Sequence, residues 1–146
     1  MITTTSCGVL IFEPEGELLL CHMTGTAYWD IPKGLREADE SELDAAVREA
    51  AEECGLRLLP AALIDLGRFA YRPAKDLHLY AVLHARVELT LLRCSSTFQD
   101  RWGRTRPEVD AFRWAQPDEL ARWCASSLAA VLTRKLSLEE VWARLF

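Results

Sequence analysis

No apolar run in this chain approaches the roughly 18–20 residues needed to span a bilayer, which removes a membrane-crossing helix from the expected elements. Paired cysteine spacing is missing too. Cys7, Cys21, Cys54, Cys94 and Cys124 are odd in number and form neither C-x-x-C nor zinc-ligand spacing, so they read as reduced core or surface thiols. The start, Met1 to Thr5, lacks the basic segment of a secretory signal, and a cytoplasmic location is expected. An excess of positive charge is absent as well. The net charge of −5 argues against general binding to nucleic-acid backbones. No internal repeat, low-complexity tract or linker interrupts the chain. What remains is 146 residues, half of them hydrophobic, enough for one domain over 1–146 with a sizeable core.

Charge is concentrated in one stretch. From Ser41 to Cys54 the chain reads as a helix, rich in Ala45, Ala46, Ala50 and Ala51 and free of Pro and Gly. Ser41 with Asp44 three residues on resembles a capping box, and Gly55 is a natural stop. At about 100° per residue, Glu49, Glu52 and Glu53 share about one third of the helix circumference. Such acids repel one another unless a positive group offsets them. A solvated acidic face is the alternative for any isolated E-x-x-E-E. Carboxylate oxygens without a paired Cys or His suit hard divalent cations, Mg²⁺ or Mn²⁺. Mg²⁺ in particular binds through one or two carboxylates plus substrate phosphates, so a phosphorylated ligand is expected.

The acidic helix belongs to a longer pattern. Gly34, Glu40, Arg48, Glu49, Glu52, Glu53, Gly55 and Leu56 stand where the Nudix box, G-x5-E-x7-R-E-U-x-E-E-x-G-U, requires them. The segment Gly34 to Leu56 therefore resembles the Nudix hydrolase family. Ala50, at the first bulky apolar position, is smaller than the usual residue, and Asp39 stands where many members have Gly.

The layout agrees with that resemblance. Cys7–Phe12 and Glu17–Met23 read as strands joined at Pro14-Glu15-Gly16, and Trp29–Gly34 reads as a loop leading to the helix. Further strands are expected over Ala62–Tyr71, Leu77–Leu89 and Ala111–Trp114. Helices are expected over Pro117–Cys124, Ser127–Lys135 and Leu138–Leu145, with Pro117 in a first turn. The fold class implied is α/β (α+β), an α/β/α sandwich with a mixed sheet.

The resemblance also implies roles. Glu52 and Glu53 correspond to metal ligands, Glu49 to a ligand or to the base acting on water, and the Gly34 carbonyl to a further metal contact. Arg48 and Glu40 would orient the carboxylates through charge-assisted hydrogen bonds, although Arg48 paired on the surface with Glu52 at i+4 fits equally. Glu37 reads as structural. Glu108, before the last strand, is the best further acid, with Asp100 and Asp110 as rivals. The reaction implied is attack of a metal-activated water on phosphorus in a diphosphate linkage.

The substrate is written more faintly. From Arg68 to Arg106 there are eight Lys or Arg residues against Asp76, Glu88 and Asp100. Arg68, Arg72, Lys75, Arg101, Arg104 and Arg106 are candidates for phosphate contacts or ordinary surface charges. Lys33, in Pro32-Lys33-Gly34, resembles the box start of dinucleoside polyphosphate hydrolases. Tyr28, Trp29, Phe69, Tyr71 and Tyr80 are possible stacking rings, and Trp102, in an Arg-rich polar loop, is the aromatic most suspected of touching substrate. His22, His78 and His84 show no ligand spacing. Two readings follow: a metal-dependent hydrolase of a nucleoside diphosphate derivative, dinucleoside polyphosphates first, or a non-catalytic nucleotide-binding sensor. The box keeps every acid, which favours the enzyme.

Overall fold

The computed structural model describes residues 2–146. The chain begins with β1 (Thr4–Phe12) and β2 (Leu18–Met23), then two short strands, β3 (Trp29–Asp30) and β4 (Lys33–Leu35). The long helix α1 (Glu42–Cys54) precedes β5 (Ile64–Arg72), β6 (Lys75–Leu83), β7 (Thr97–Gln99), β8 (Thr105–Pro107) and β9 (Val109–Ala115). Three short helices close the chain, α2 (Leu120–Trp123), α3 (Ser126–Ala130) and α4 (Leu138–Arg144), and α3 continues through a π-helical turn at Val131–Lys135.

β1 is the hub of the sheet. It pairs in parallel with β6 and antiparallel with β2 and β4. β2 adds β3 and β9, and β6 adds β5, all antiparallel, giving one mixed seven-stranded sheet. β7 and β8 stand apart as a two-stranded hairpin.

Alternation along β1 produces the layers, because successive side chains of a strand point to opposite faces. Cys7, Val9 and Ile11 pack with Ala45, Ala46 and Ala50 of α1. Leu10 and Phe12 pack on the other face with Leu120, Leu128, Leu132 and Val141 of the C-terminal helices. Helices on both faces make the α/β/α sandwich expected from the resemblance.

α1 starts and stops as its ends dictate. The Ser41 hydroxyl accepts from the Asp44 amide at 3.1 Å, and Gly55, at φ 78°, donates its N–H to the Ala51 carbonyl. Ala50, fully buried, puts little bulk between helix and sheet. The helix therefore lies close on β1 and β4, which matters for Glu49 below.

Several boundaries differ from expectation. Trp29–Gly34 is no plain loop, because β3 pairs with β2 and β4 pairs with β1. β6 ends at Leu83 rather than Leu89, since Phe12, its partner Leu83 and the end of β1 coincide. Pro117–Cys124 opens with a 3-10 turn at Pro117–Glu119 before α2. Among the described residues no helix is long and apolar enough to cross a membrane.

Candidate active site

α1 and β4 bring the box residues together. Gly34 lies on β4 opposite Cys7 of β1, and its backbone faces Glu49 so closely that an added Cβ would collide with the Glu49 carboxylate. Glycine is required here by contact rather than by dihedral angle. Glu49 and Glu53, four residues apart, are both buried, while Glu52 keeps 39% of its side chain exposed on the shoulder.

Arg48 organises the rim. Its Nε donates to Glu40 Oε2 at 2.8 Å and its Nη2 to Glu40 Oε1 at 2.9 Å. Nη1 donates to Glu49 at 2.9 Å and Glu52 at 3.2 Å, and Nη2 reaches the Leu35 carbonyl at 3.0 Å. The orienting role and the i+4 pair are thus one network. The Arg48 hydrogen bonds hold the Glu40 carboxyl below its ordinary pKa. Glu37 lies at the edge, 3.9 Å from Arg48. Arg36 wraps the loop, donating to the carbonyls of Glu37, Ala38 and Glu40.

The buried acids are electrostatically uncomfortable. Burial raises the Glu49 pKa, Arg48 opposes this, and the Glu52 and Glu108 charges push the same way as burial. Glu53 is pushed up to about 8, first by burial, against Lys33, with Asp30 and Glu49 adding to the rise. Glu108 is the last of these influences on Glu49, behind Arg48 and Glu52. Its rivals are occupied elsewhere: Asp110 pairs with His22 at 2.5 Å, and Asp100 builds the β7–β8 turn.

These residues fit a hard divalent cation. The donors are oxygens, the Gly34 backbone and Glu49 carboxylate form a cradle that any side chain would fill, and the carboxylates repel one another without a counter-charge. Among the described residues no three His, Cys, Asp or Glu side chains converge as a complete cage.

Beside the acids lies a cleft of about 280 Å³, lined by Met23, Thr26, Tyr28, Trp29, Asp30, Lys33, Arg72, Ala125 and Leu128. The Lys33 amide donates to Glu53 Oε1 at 3.3 Å, joining cleft to carboxylates. Burial pulls the Lys33 ammonium down in pKa, but Asp30 at 3.0 Å outweighs it and holds the pKa above the ordinary lysine value. Lys75 is lowered by burial and then by Lys33 and Arg72, so positive charge gathers at this wall. Arg72 and Lys33 also flank the Tyr71 ring, at 4.9 and 5.9 Å from its centroid.

Lys33, Arg72, Tyr28 and Trp29, suspected from sequence, all line this cleft. Trp102 does not, since it sits on the β7–β8 hairpin. Arg68 is held by Glu42, Phe69 packs toward the C-terminal helices, and Tyr80 stacks on His78. Asp30 was not foreseen; its only sequence signal is the D-x-x-K spacing to Lys33. All five cysteines are free, and burial raises the Cys7 thiol to about 11 and those of Cys54 and Cys124 to about 12.

Box and sandwich agree with the match of residues 3–136 to the family profile of the NUDIX domain: the chain belongs to the Nudix family and is a Nudix hydrolase. Members of this family generally use divalent metal ions. The chain is 38% identical over 120 residues to the 17.7 kDa protein of the e-segB intergenic region of Enterobacteria phage T4, covering 75% of this chain and 80% of that one. It is 29% identical over 131 residues to the phosphatase NudJ of Escherichia coli K12, covering 88% and 76%. Its fold is similar to a Caenorhabditis elegans Ap4A hydrolase solved as a binary complex, with a TM-score of 0.64 and 17% identity over 97% and 99% of the chains.

Proposed function

We propose that this hydrolase cleaves a diphosphate linkage in a nucleoside diphosphate derivative, with dinucleoside polyphosphates first among substrates and Mg²⁺ or Mn²⁺ as the metal. The observation that carries this is the abutment of the acidic helix face on a cleft holding both cations and aromatic rings. Gly34, Glu49, Glu52 and Glu53 would hold the metal. When bound, a divalent cation neutralises charge on the leaving phosphate and acidifies water.

The remaining chemistry belongs to side chains. Lys33 and Arg72 bind phosphate oxygens by charge-assisted hydrogen bonds, and Tyr28 and Trp29 offer faces to a base. Glu49, its carboxylate oriented by Arg48, takes the proton as the water oxygen bonds to phosphorus, while the anhydride P–O bond breaks and the leaving phosphate departs with the bonding pair. Glu108 adds a negative charge that keeps Glu49 basic. Free thiols at every cysteine support a reducing, cytoplasmic setting.

The test is a panel of nucleotides incubated with Mg²⁺ or Mn²⁺ in ¹⁸O-labelled water, with products read by mass. The expected result is a labelled phosphate product from a dinucleoside polyphosphate. Tight nucleotide binding with no product under either metal would instead support a sensor.

A further inference from the structure

The β7–β8 hairpin has no part in either hydrophobic layer. Every residue of both strands is exposed, and Trp102 at the turn is 69% exposed. Yet the turn is firmly built. Asp100 Oδ1 accepts from the amides of Trp102 and Arg104, each at 2.9 Å, and Gly103 takes the left-handed φ of 75° that closes it. The Arg101 guanidinium lies 4.5 Å from the centroid of the Trp102 ring. On the strands, Phe98 stands directly across from Arg106, so a second ring and guanidinium share one face.

Residues 97–107 carry Arg101, Arg104 and Arg106 against Asp100 alone, in a chain of net charge −5. An exposed ring beside cations offers a stacking surface to a flat base and counter-charge to phosphates. The hairpin is also anchored by backbone hydrogen bonds to the C-terminal end of α1. Before it, the Ser95 amide donates to the Glu52 carbonyl at 2.7 Å; after it, the Glu108 amide donates to the Ser96 carbonyl at 3.0 Å. The cleft thus meets the acids through Lys33, while the base of the hairpin adjoins the backbone of α1 through Ser95, with Glu108 directly following β8.

We propose that the β7–β8 hairpin is a binding arm for the second nucleoside of a two-ended polyphosphate, with Trp102 stacking on its base and Arg101, Arg104 and Arg106 contacting the distal phosphates. The assignment rests on the hydrolase reading of the carboxylate site. A substrate with one nucleoside fills the cleft and leaves the arm free; one with two nucleosides engages both.

The experiment follows the indole N–H signal of Trp102 by NMR, assigned with Trp102→Phe, on adding methylene-bridged analogues of diadenosine tetraphosphate and of ATP. A shift with the two-ended ligand only is expected, and Trp102→Ala weakens that ligand about tenfold while leaving the one-ended ligand unchanged. Arg101→Gln with Arg104→Gln acts in the same direction. No shift with either ligand, a shift with both, or equal weakening of both by Trp102→Ala overturns the assignment. Turnover by the parent enzyme separates the two readings. If it hydrolyses a dinucleotide while Trp102 stays silent, only the arm is lost; if it hydrolyses no diphosphate, the hydrolase reading itself is lost.

Discussion

Arg48 grips Glu40 with two parallel hydrogen bonds, Nε to Oε2 at 2.8 Å and Nη2 to Oε1 at 2.9 Å, across eight residues of sequence. The fork fixes the guanidinium plane, and the remaining nitrogen is then aimed at Glu49 and Glu52. Glu40→Gln removes the charge of one partner and Arg48→Lys removes the fork. Each is expected to lower kcat/KM about tenfold, a loss on the order of 1.4 kcal/mol in transition-state stabilisation. Because both act through one network, the double variant loses less than the product of the singles. A strictly multiplicative double variant would show the two residues acting independently.

Gly34→Ala tests the close approach of β4 to α1. The new methyl must displace the Glu49 carboxylate, because both occupy the same space. Turnover is expected to fall about 100-fold or more, with the circular dichroism spectrum retained. Unchanged turnover would show that Glu49 need not sit against this backbone.

Glu53 gives the metal-free protein a defined pH response. Its folded pKa of about 8 lies above the unfolded value of 4.5. Between these values the native state binds the extra proton, so stability falls as pH rises through that window, with a limiting slope of about 1.4 kcal/mol per pH unit. Urea titrations in chelator from pH 5 to pH 8 check this, and Glu53→Gln is expected to flatten the slope. A stability that rises over the same range in the parent contradicts the assignment.

Arg72→Ala separates binding from chemistry. The side chain lines the cleft and leans on Ser127 and Tyr71, with no hydrogen bond to the box carboxylates. KM is expected to rise about tenfold with kcat nearly unchanged, the signature of lost uniform binding. A fall in kcat at constant KM would place Arg72 in the chemical step instead.

The box and its helix were legible because their residues act within one short segment, where spacing alone sets geometry. Cys7–Phe12 likewise read as a strand, while the split of Cys7, Val9 and Ile11 toward α1 from Leu10 and Phe12 toward the C-terminal helices is shown by the fold. What sequence hid depends on distant partners. β6 stops at Leu83 because β1 runs out at Phe12, though Ala85 and Val87 still look apolar. β3 and β4 are too short to show a period, and they exist because β2 and β1 offer unpaired edges. The β7–β8 hairpin is short, polar and solvent-facing, so no hydrophobic pattern marks it. Asp30 and Lys33 sit three apart within an irregular stretch, and only the fold shows that they form a pair.

Manganese titration of the ligand-free protein, read by the paramagnetic relaxation of water protons, probes the acid cluster without any substrate. The parent should bind the ion, while Glu52→Gln and Glu53→Gln should each weaken binding tenfold or more and keep the folded spectrum. Parent-like affinity in both variants would mean that these two side chains do not hold the ion.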